Sequence, residues 1–114
     1  MKVLLINGSP NREGCIHTAL SEVAATLQAN DIETEMLYLG KKPIAGCIAC
    51  GKCLDTGCCF REDLVQEIQR RLDEFDGLVI GSPVYYSGPS GQLVSFLNRL
   101  FYATERRMAG KVGA

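Results

Sequence analysis

Val3-Leu4-Leu5-Ile6-Asn7-Gly8-Ser9-Pro10-Asn11-Arg12-Glu13-Gly14-Cys15-Ile16-His17-Thr18 is the stretch whose reading decides the fold. Four apolar residues run into a small polar loop. The loop opens onto Ala19, Leu20, Val23, Ala24 and Leu27, which share one face of a helix predicted from about Thr18 to Leu27 or Ala29. A continuous apolar run marks a strand covered on both faces of a parallel sheet. The loop at its carboxyl end gathers free backbone N–H groups and a positive helix end in one place, which suits a phosphate. Gly8 and Gly14 do not form G-x-G-x-x-G, and no Gly-Lys-Ser/Thr follows, so a dinucleotide turn and a Walker loop are both disfavoured. Ser9, Thr18 and main-chain amides, assisted by Arg12, remain to surround a phosphate monoester. An ordinary strand-to-helix turn, with Gly and Asn supplying permissive backbone angles, stays open beside that reading.

Outward from this stretch, Glu33 to Leu39 reads as a second strand, and polar Glu33 and Glu35 place it toward an edge. Gly40 to Arg61 loses periodicity and gains Gly, Pro and Cys, and irregular segments of that length are usually functional. Asp63 caps a second helix with Leu64, Val65, Ile68, Leu72 and Phe75 on one face. Leu78 to Gly81 is a third strand, central by its continuous apolar character. It empties into Ser82-Pro83-Val84-Tyr85-Tyr86-Ser87-Gly88-Pro89. Ser90 caps a third helix that should turn Leu93, Val94, Leu97, Leu100 and Phe101 inward, with Arg99, Arg106 and Arg107 serving its negative end and the surface. Lys111 to Ala114 starts a further strand. Strand, helix, strand in series calls for right-handed crossovers and an open parallel α/β sheet of order 2-1-3, with helices on both faces and a ligand crevice where the winding reverses. Strands one and three flank that point. The first loop offers donors for a phosphate. Pro83, Val84, Tyr85 and Tyr86 offer flat walls for a ring, although one of the tyrosines packing into the core is the plainer alternative.

With 114 residues and 46% hydrophobic content, residues 1–114 form one domain. Thirteen acidic against twelve basic residues create no global field for nucleic acid or a membrane surface. No signal-type segment is evident and no apolar run approaches the roughly 18 residues of a membrane span, so the expected location is cytoplasmic. Five of the six cysteines crowd between Cys47 and Cys59, which favours metal or redox use of thiols over structural bridges. Two successive C-x2-C spacings make Cys47, Cys50 and Cys53 candidates for one metal centre, with Cys59 as fourth ligand or Cys58 in its stead. An iron–sulfur cluster, tetrahedral zinc and free thiols all remain open.

Asn7-Gly8-Ser9-Pro10 after the first strand, Gly81-Ser82-Pro83-Val84-Tyr85 after the third, and the helix from Gly91 to Arg99 resemble the NADPH-dependent FMN reductase and iron–sulfur flavoprotein branch of the flavodoxin-like family. The resemblance implies FMN as cofactor, with its phosphate near Ser9, Asn11, Arg12, Cys15, His17, Thr18 and Ala19 and its ring along Pro83, Val84, Tyr85, Tyr86 and Gly88. It implies NAD(P)H as co-substrate, a small-molecule electron acceptor and a homo-oligomer. His17 and Cys15 also have plain readings, as an exposed loop histidine and a small packing cysteine. The family continues through a fourth and fifth strand, so residues 1–114 are expected to be an amino-terminal portion in which the third strand keeps an exposed edge. An electron-transfer iron–sulfur flavoprotein is the second reading, and a non-catalytic phosphate- or metal-binding module the third.

Overall fold

In the computed structural model, which describes residues 1–114, the apolar run forms β1 (Lys2–Asn7) in the interior of a parallel sheet. After it come α1 (Cys15–Ala29), β2 (Glu33–Tyr38), a single turn α2 (Cys53–Thr56), α3 (Leu64–Arg71) and β3 (Gly77–Gly81). A small hairpin of β4 (Val84–Tyr85) and β5 (Gly88–Pro89) leads to α4 (Gly91–Thr104) and the short β6 (Val112–Gly113). The sheet order is β2-β1-β3-β6, so the expected 2-1-3 arrangement holds and β2 lies at an edge. β1 pairs in register with both neighbours, Asn7 standing beside Tyr38 on one side and Gly81 on the other.

Alternation along β1 sorts its side chains to the two faces. Leu4 and Ile6 join Leu78, Val65, Ile68 and Phe75 with Leu93, Phe96 and Leu100 in one buried cluster under α3 and α4. On the other face α1 packs across the sheet, with Ile16 and Leu20 against Gly81. A Cβ at Gly81 would fall 2.7 Å from Ile16 Cγ2, and one at Gly8 would fall 2.9 Å from Leu93 Cδ2. Both glycines are therefore required by close approach of helix to strand end.

Asp63 caps α3 as expected: its Oδ1 accepts the N–H of Val65 at 3.1 Å and of Gln66 at 3.4 Å. Ser90 caps α4 by accepting the Leu93 N–H at 3.3 Å. Several expectations need correction. α1 begins at Cys15, three residues before the predicted start, because Gly14 already takes the N-cap position. In α4 it is Phe96 that enters the core, while Val94 and Phe101 are exposed; the true inward face follows Leu93, Phe96 and Leu100 at helical spacing. Arg99 is buried too, not on the surface. The edge of β3 is not bare either, since Gly77 and Leu78 pair with Val112 and Gly113 and the Ala114 carbonyl accepts the Ile80 N–H at 2.8 Å.

Phe96 is fully buried between α3 and the sheet. Phe96→Ala should lower stability by about 3–5 kcal/mol, read as a lower denaturant midpoint with unchanged m-value.

Candidate functional site

β1 and β3 are adjacent and parallel, so the loops that leave Asn7 and Gly81 share one rim of the sheet. They are also bonded together there. The Gly8 N–H donates to the Gly81 carbonyl at 2.8 Å, the Ser90 hydroxyl donates to the Gly8 carbonyl at 2.8 Å, and the Ser90 N–H donates to Ser82 Oγ at 2.9 Å. Asn7 and Ser90 were not among the expected site residues, yet they hold the rim in shape. Buried Asn7 accepts the Ser9 N–H through Oδ1 at 3.0 Å, and its Nδ2 is buried without a partner. A polar residue ending an otherwise apolar strand was the available signal.

Ser9 is buried and its Oγ accepts the Asn11 N–H at 3.1 Å, so this hydroxyl shapes the loop from within. Asn11 and Arg12 are exposed. The Arg12 guanidinium lies 5.3 Å from the centre of the Tyr38 ring, whose hydroxyl donates to the Pro10 carbonyl. Cys15, Thr18 and Ala19 are exposed on the first turns of α1, and the Thr18 hydroxyl donates to the Gly14 carbonyl at 3.3 Å. His17 is half-buried and turned along the helix, its Nε2 lying 3.3 Å from Ser21 Oγ. No side chain caps α1 and no acidic residue stands in its first turn. The amides from Cys15 to His17 therefore have no hydrogen-bond acceptor within the chain, and the positive end of a 15-residue helix stands behind them.

The second group lies on the β4–β5 hairpin. Tyr86 and Ser87 form its two-residue turn with φ of 49° and 67°. Positive φ at both central positions suits the twist of a hairpin, but non-glycine residues pay about 1–3 kcal/mol each for it. Val84, Tyr85 and Tyr86 are all exposed, Tyr86 completely, so neither tyrosine enters the core. Pro83 and Gly88 are half-buried at the base.

The cysteine segment carries α2 and lies against α3 and α4, where Cys59 bonds Gln66 and Gln69 and shares a pocket with Arg99 and Tyr102. Cys47, Cys50, Cys53 and Cys59 line one pocket together with Phe60, Arg61, Arg99 and Tyr102. Cys58 faces a separate depression beside Lys52 and Arg70. All six cysteines are free thiols. Burial, followed by the charges of Cys59, Cys47 and Cys50, pushes the Cys53 thiol above its ordinary value. No three Cys, His, Asp or Glu side chains converge closely enough as they stand to hold a metal ion. Four soft thiols around one cavity fit iron–sulfur or zinc ligation in donor chemistry.

Arg99 forms a fork with Asp63, Nη1 to Oδ2 at 2.6 Å and Nη2 to Oδ1 at 2.9 Å. Burial opposes the charge on Asp63, but the Arg99 guanidinium and the helix amides outweigh it and hold the carboxyl below its ordinary value. Burial likewise opposes the Arg99 charge, and Asp63 and then Cys59 outweigh it, keeping the guanidinium above its ordinary value.

A family model described as NADPH-dependent FMN reductase matches residues 1–114. An iron-sulfur flavoprotein of Methanocaldococcus jannaschii is 39% identical over 99 residues, covering 87% of this chain and 51% of that protein. One from Archaeoglobus fulgidus is 32% identical over 114 residues, covering 99% of this chain and 52% of that protein. The chain thus spans about half the length of these relatives. Among solved structures, an NADH:FMN oxidoreductase in its apo form superposes with a TM-score of 0.70 at 22% identity, over 98% of this chain and 55% of that one. An NAD(P)H:quinone oxidoreductase from Methanothermobacter marburgensis gives a TM-score of 0.71 at 20% identity, over 90% and 55%. At these identities the structures establish a shared fold. No helix is long and apolar enough to cross a membrane.

Asp63→Asn should cost about 1–2 kcal/mol at neutral pH, less than in a fully buried pair because the Asp63 side chain is 33% exposed, since it removes the countercharge of buried Arg99. Since the folded-state pKa of Asp63 is depressed, its contribution is complete above the unfolded value of about 3.9 and fades as pH falls through the folded value. Denaturant titrations from pH 2 to pH 7 should therefore show a shallower acid limb in the variant.

Proposed function

The chain belongs to the NADPH-dependent FMN reductase family, and we propose on that premise that it supplies the phosphate-gripping and ring-lining part of an FMN-dependent NAD(P)H oxidoreductase. Its acceptor is a small molecule such as free flavin or a quinone. The observation that carries this reading is the shared rim, where the uncapped start of α1 and the β4–β5 hairpin are tied to each other through Gly8, Gly81 and Ser90. An anion needs N–H donors that no side chain has already taken, and α1 leaves its first-turn amides in that condition. Those amides, with Asn11 and Arg12 alongside, would hold the FMN phosphate; Pro83, Val84, Tyr85, Tyr86 and Gly88 would lie along the ring.

Bound FMN supplies hydride acceptance and the onward passage of electrons. What the polypeptide contributes is placement. The turn at Tyr86 and Ser87 leaves Val84, Tyr85 and Tyr86 exposed at the rim, where a flat ring could lie against them. The interlocked loops keep the distance between phosphate grip and ring wall constant. Neither duty requires a proton to move, in keeping with the lack of a triad or paired carboxylates at this rim. A second copy of the chain would help to enclose the ring. Six free thiols suit a reducing cytoplasm.

A specific observation favours a second reading. Cys47, Cys50, Cys53 and Cys59 share one pocket, which supports an iron–sulfur flavoprotein relaying electrons between the flavin and a partner. A non-catalytic phosphate- or metal-binding module remains as the outcome of a negative test.

The intact gene product, purified without oxygen, should carry FMN absorbance and oxidise NADH or NADPH in the presence of free flavin or a quinone. A protein that never takes up FMN overturns the first reading. Iron and sulfide analysis of the same sample tests the second: Cys50→Ser should abolish both contents while FMN content is retained.

A further inference from the structure

Arg99 is only 2% exposed, yet it lines the thiol pocket, and its Nε is buried without a hydrogen-bond partner. A guanidinium keeps its proton at any working pH, so this is a permanent charge. Leaving such an N–H unmade in a buried site is costly, which calls for an acceptor there. Three of the five guanidinium N–H groups are committed: Asp63 accepts one from Nη1 and one from Nη2, and the Ala45 carbonyl accepts the second from Nη1 at 3.1 Å. Asp63 is not among the residues lining the pocket and Arg99 is, so of the ion pair only the cation borders the four thiols.

The same corner fixes Cys59. Its N–H donates to Gln69 Oε1 at 2.7 Å and its carbonyl accepts from Gln66 Nε2 at 2.8 Å, while Gln69 Nε2 donates to the Arg99 carbonyl at 2.8 Å. Gln69 is fully buried on the apolar face of α3, where burying an amide is worthwhile only if all its bonds are made. One thiol and one cation are thus locked to the same two helices, while Cys47 and Cys50 stand on irregular, exposed backbone.

We propose that Arg99 is a positioning residue for the sulfur site: it presents a fixed positive charge and an unused N–H to an anionic centre ligated by Cys47, Cys50, Cys53 and Cys59. This rests on the iron–sulfur reading given above. A one-electron reduction adds negative charge to such a centre, and a cation held in a poorly solvated wall favours the more negative form. Arg61 also lines the pocket, but it is half-buried with its guanidinium 5.2 Å from the Phe60 ring, where water screens it.

The test uses the intact protein, reconstituted anaerobically with ferrous iron and sulfide and titrated with dithionite as the electron donor. Wild type is compared with Arg99→Lys, Arg99→Gln and Arg61→Gln. Arg99→Gln should make reduction about tenfold less favourable, about 59 mV more negative for a one-electron couple. Arg99→Lys should recover most of that shift, and Arg61→Gln should shift less than Arg99→Gln. Should Arg99→Gln fail to load iron, cobalt(II) alone is titrated into the metal-free proteins and followed by thiolate-to-cobalt absorption. At least tenfold weaker binding is expected there, again with the lysine variant between. A loaded Arg99→Gln protein with the wild-type potential, or a lysine variant no better than glutamine, overturns the role of Arg99 and leaves the cluster reading standing. Wild-type protein that carries FMN but takes up no iron, sulfide or cobalt overturns both together.

Discussion

Everything at the ligand rim depends on how closely the ends of two neighbouring strands approach. Gly8 donates its N–H to the Gly81 carbonyl, and neither position has room for a Cβ, because Leu93 of α4 presses on one and Ile16 of α1 on the other. One helix from each face of the sheet thus meets the same pair of strand exits. With that contact in place, the loop after β1 and the hairpin after β3 behave as one construction, and Ser90 fastens it by donating to the Gly8 carbonyl while capping α4. Loosening either glycine contact would separate the two loops that the proposed FMN site needs side by side.

Much of this was legible in the sequence because it rests on local rules. The unbroken apolar runs at Val3–Ile6 and Leu78–Ile80 read as interior strands, Glu33 and Glu35 marked an edge, and Asp63 and Ser90 announced their helices. What escaped was set by long-range pairing. Arg99 belongs by composition on a helix surface, and only the return of Asp63 from 36 residues earlier makes its burial tolerable. Gln69 is buried for the same kind of reason, since its partners Cys59 and the Arg99 carbonyl come from two other segments. Val94 and Phe101 read as inward and are exposed, because apolar spacing on a helix fixes a stripe but not its centre.

At the candidate sites the residue types were readable and their employment was not. Ser9 looked like a phosphate hydroxyl, and the structure spends its oxygen on the Asn11 amide. Arg12 looked free to reach an anion and rests over Tyr38. The cysteine spacing gave the grouping of Cys47, Cys50, Cys53 and Cys59, but spacing carries no information about Gln66, Gln69 and Arg99, which decide which thiol is held firmly and what charge it meets. Side chains around a site are chosen by the fold, and a single sequence shows them only as ordinary polar residues.

The bare amino end of α1 has a wider consequence. A glycine N-cap costs about a few tenths of a kcal/mol against serine or aspartate, and Gly14 has no side-chain oxygen to take up the first-turn amides. Occupancy by an anion would therefore do for this segment what a serine or aspartate does for α3 and α4. On the FMN reading proposed above, the phosphate would then count as part of the folded architecture, and the fraction of intact molecules would follow its supply.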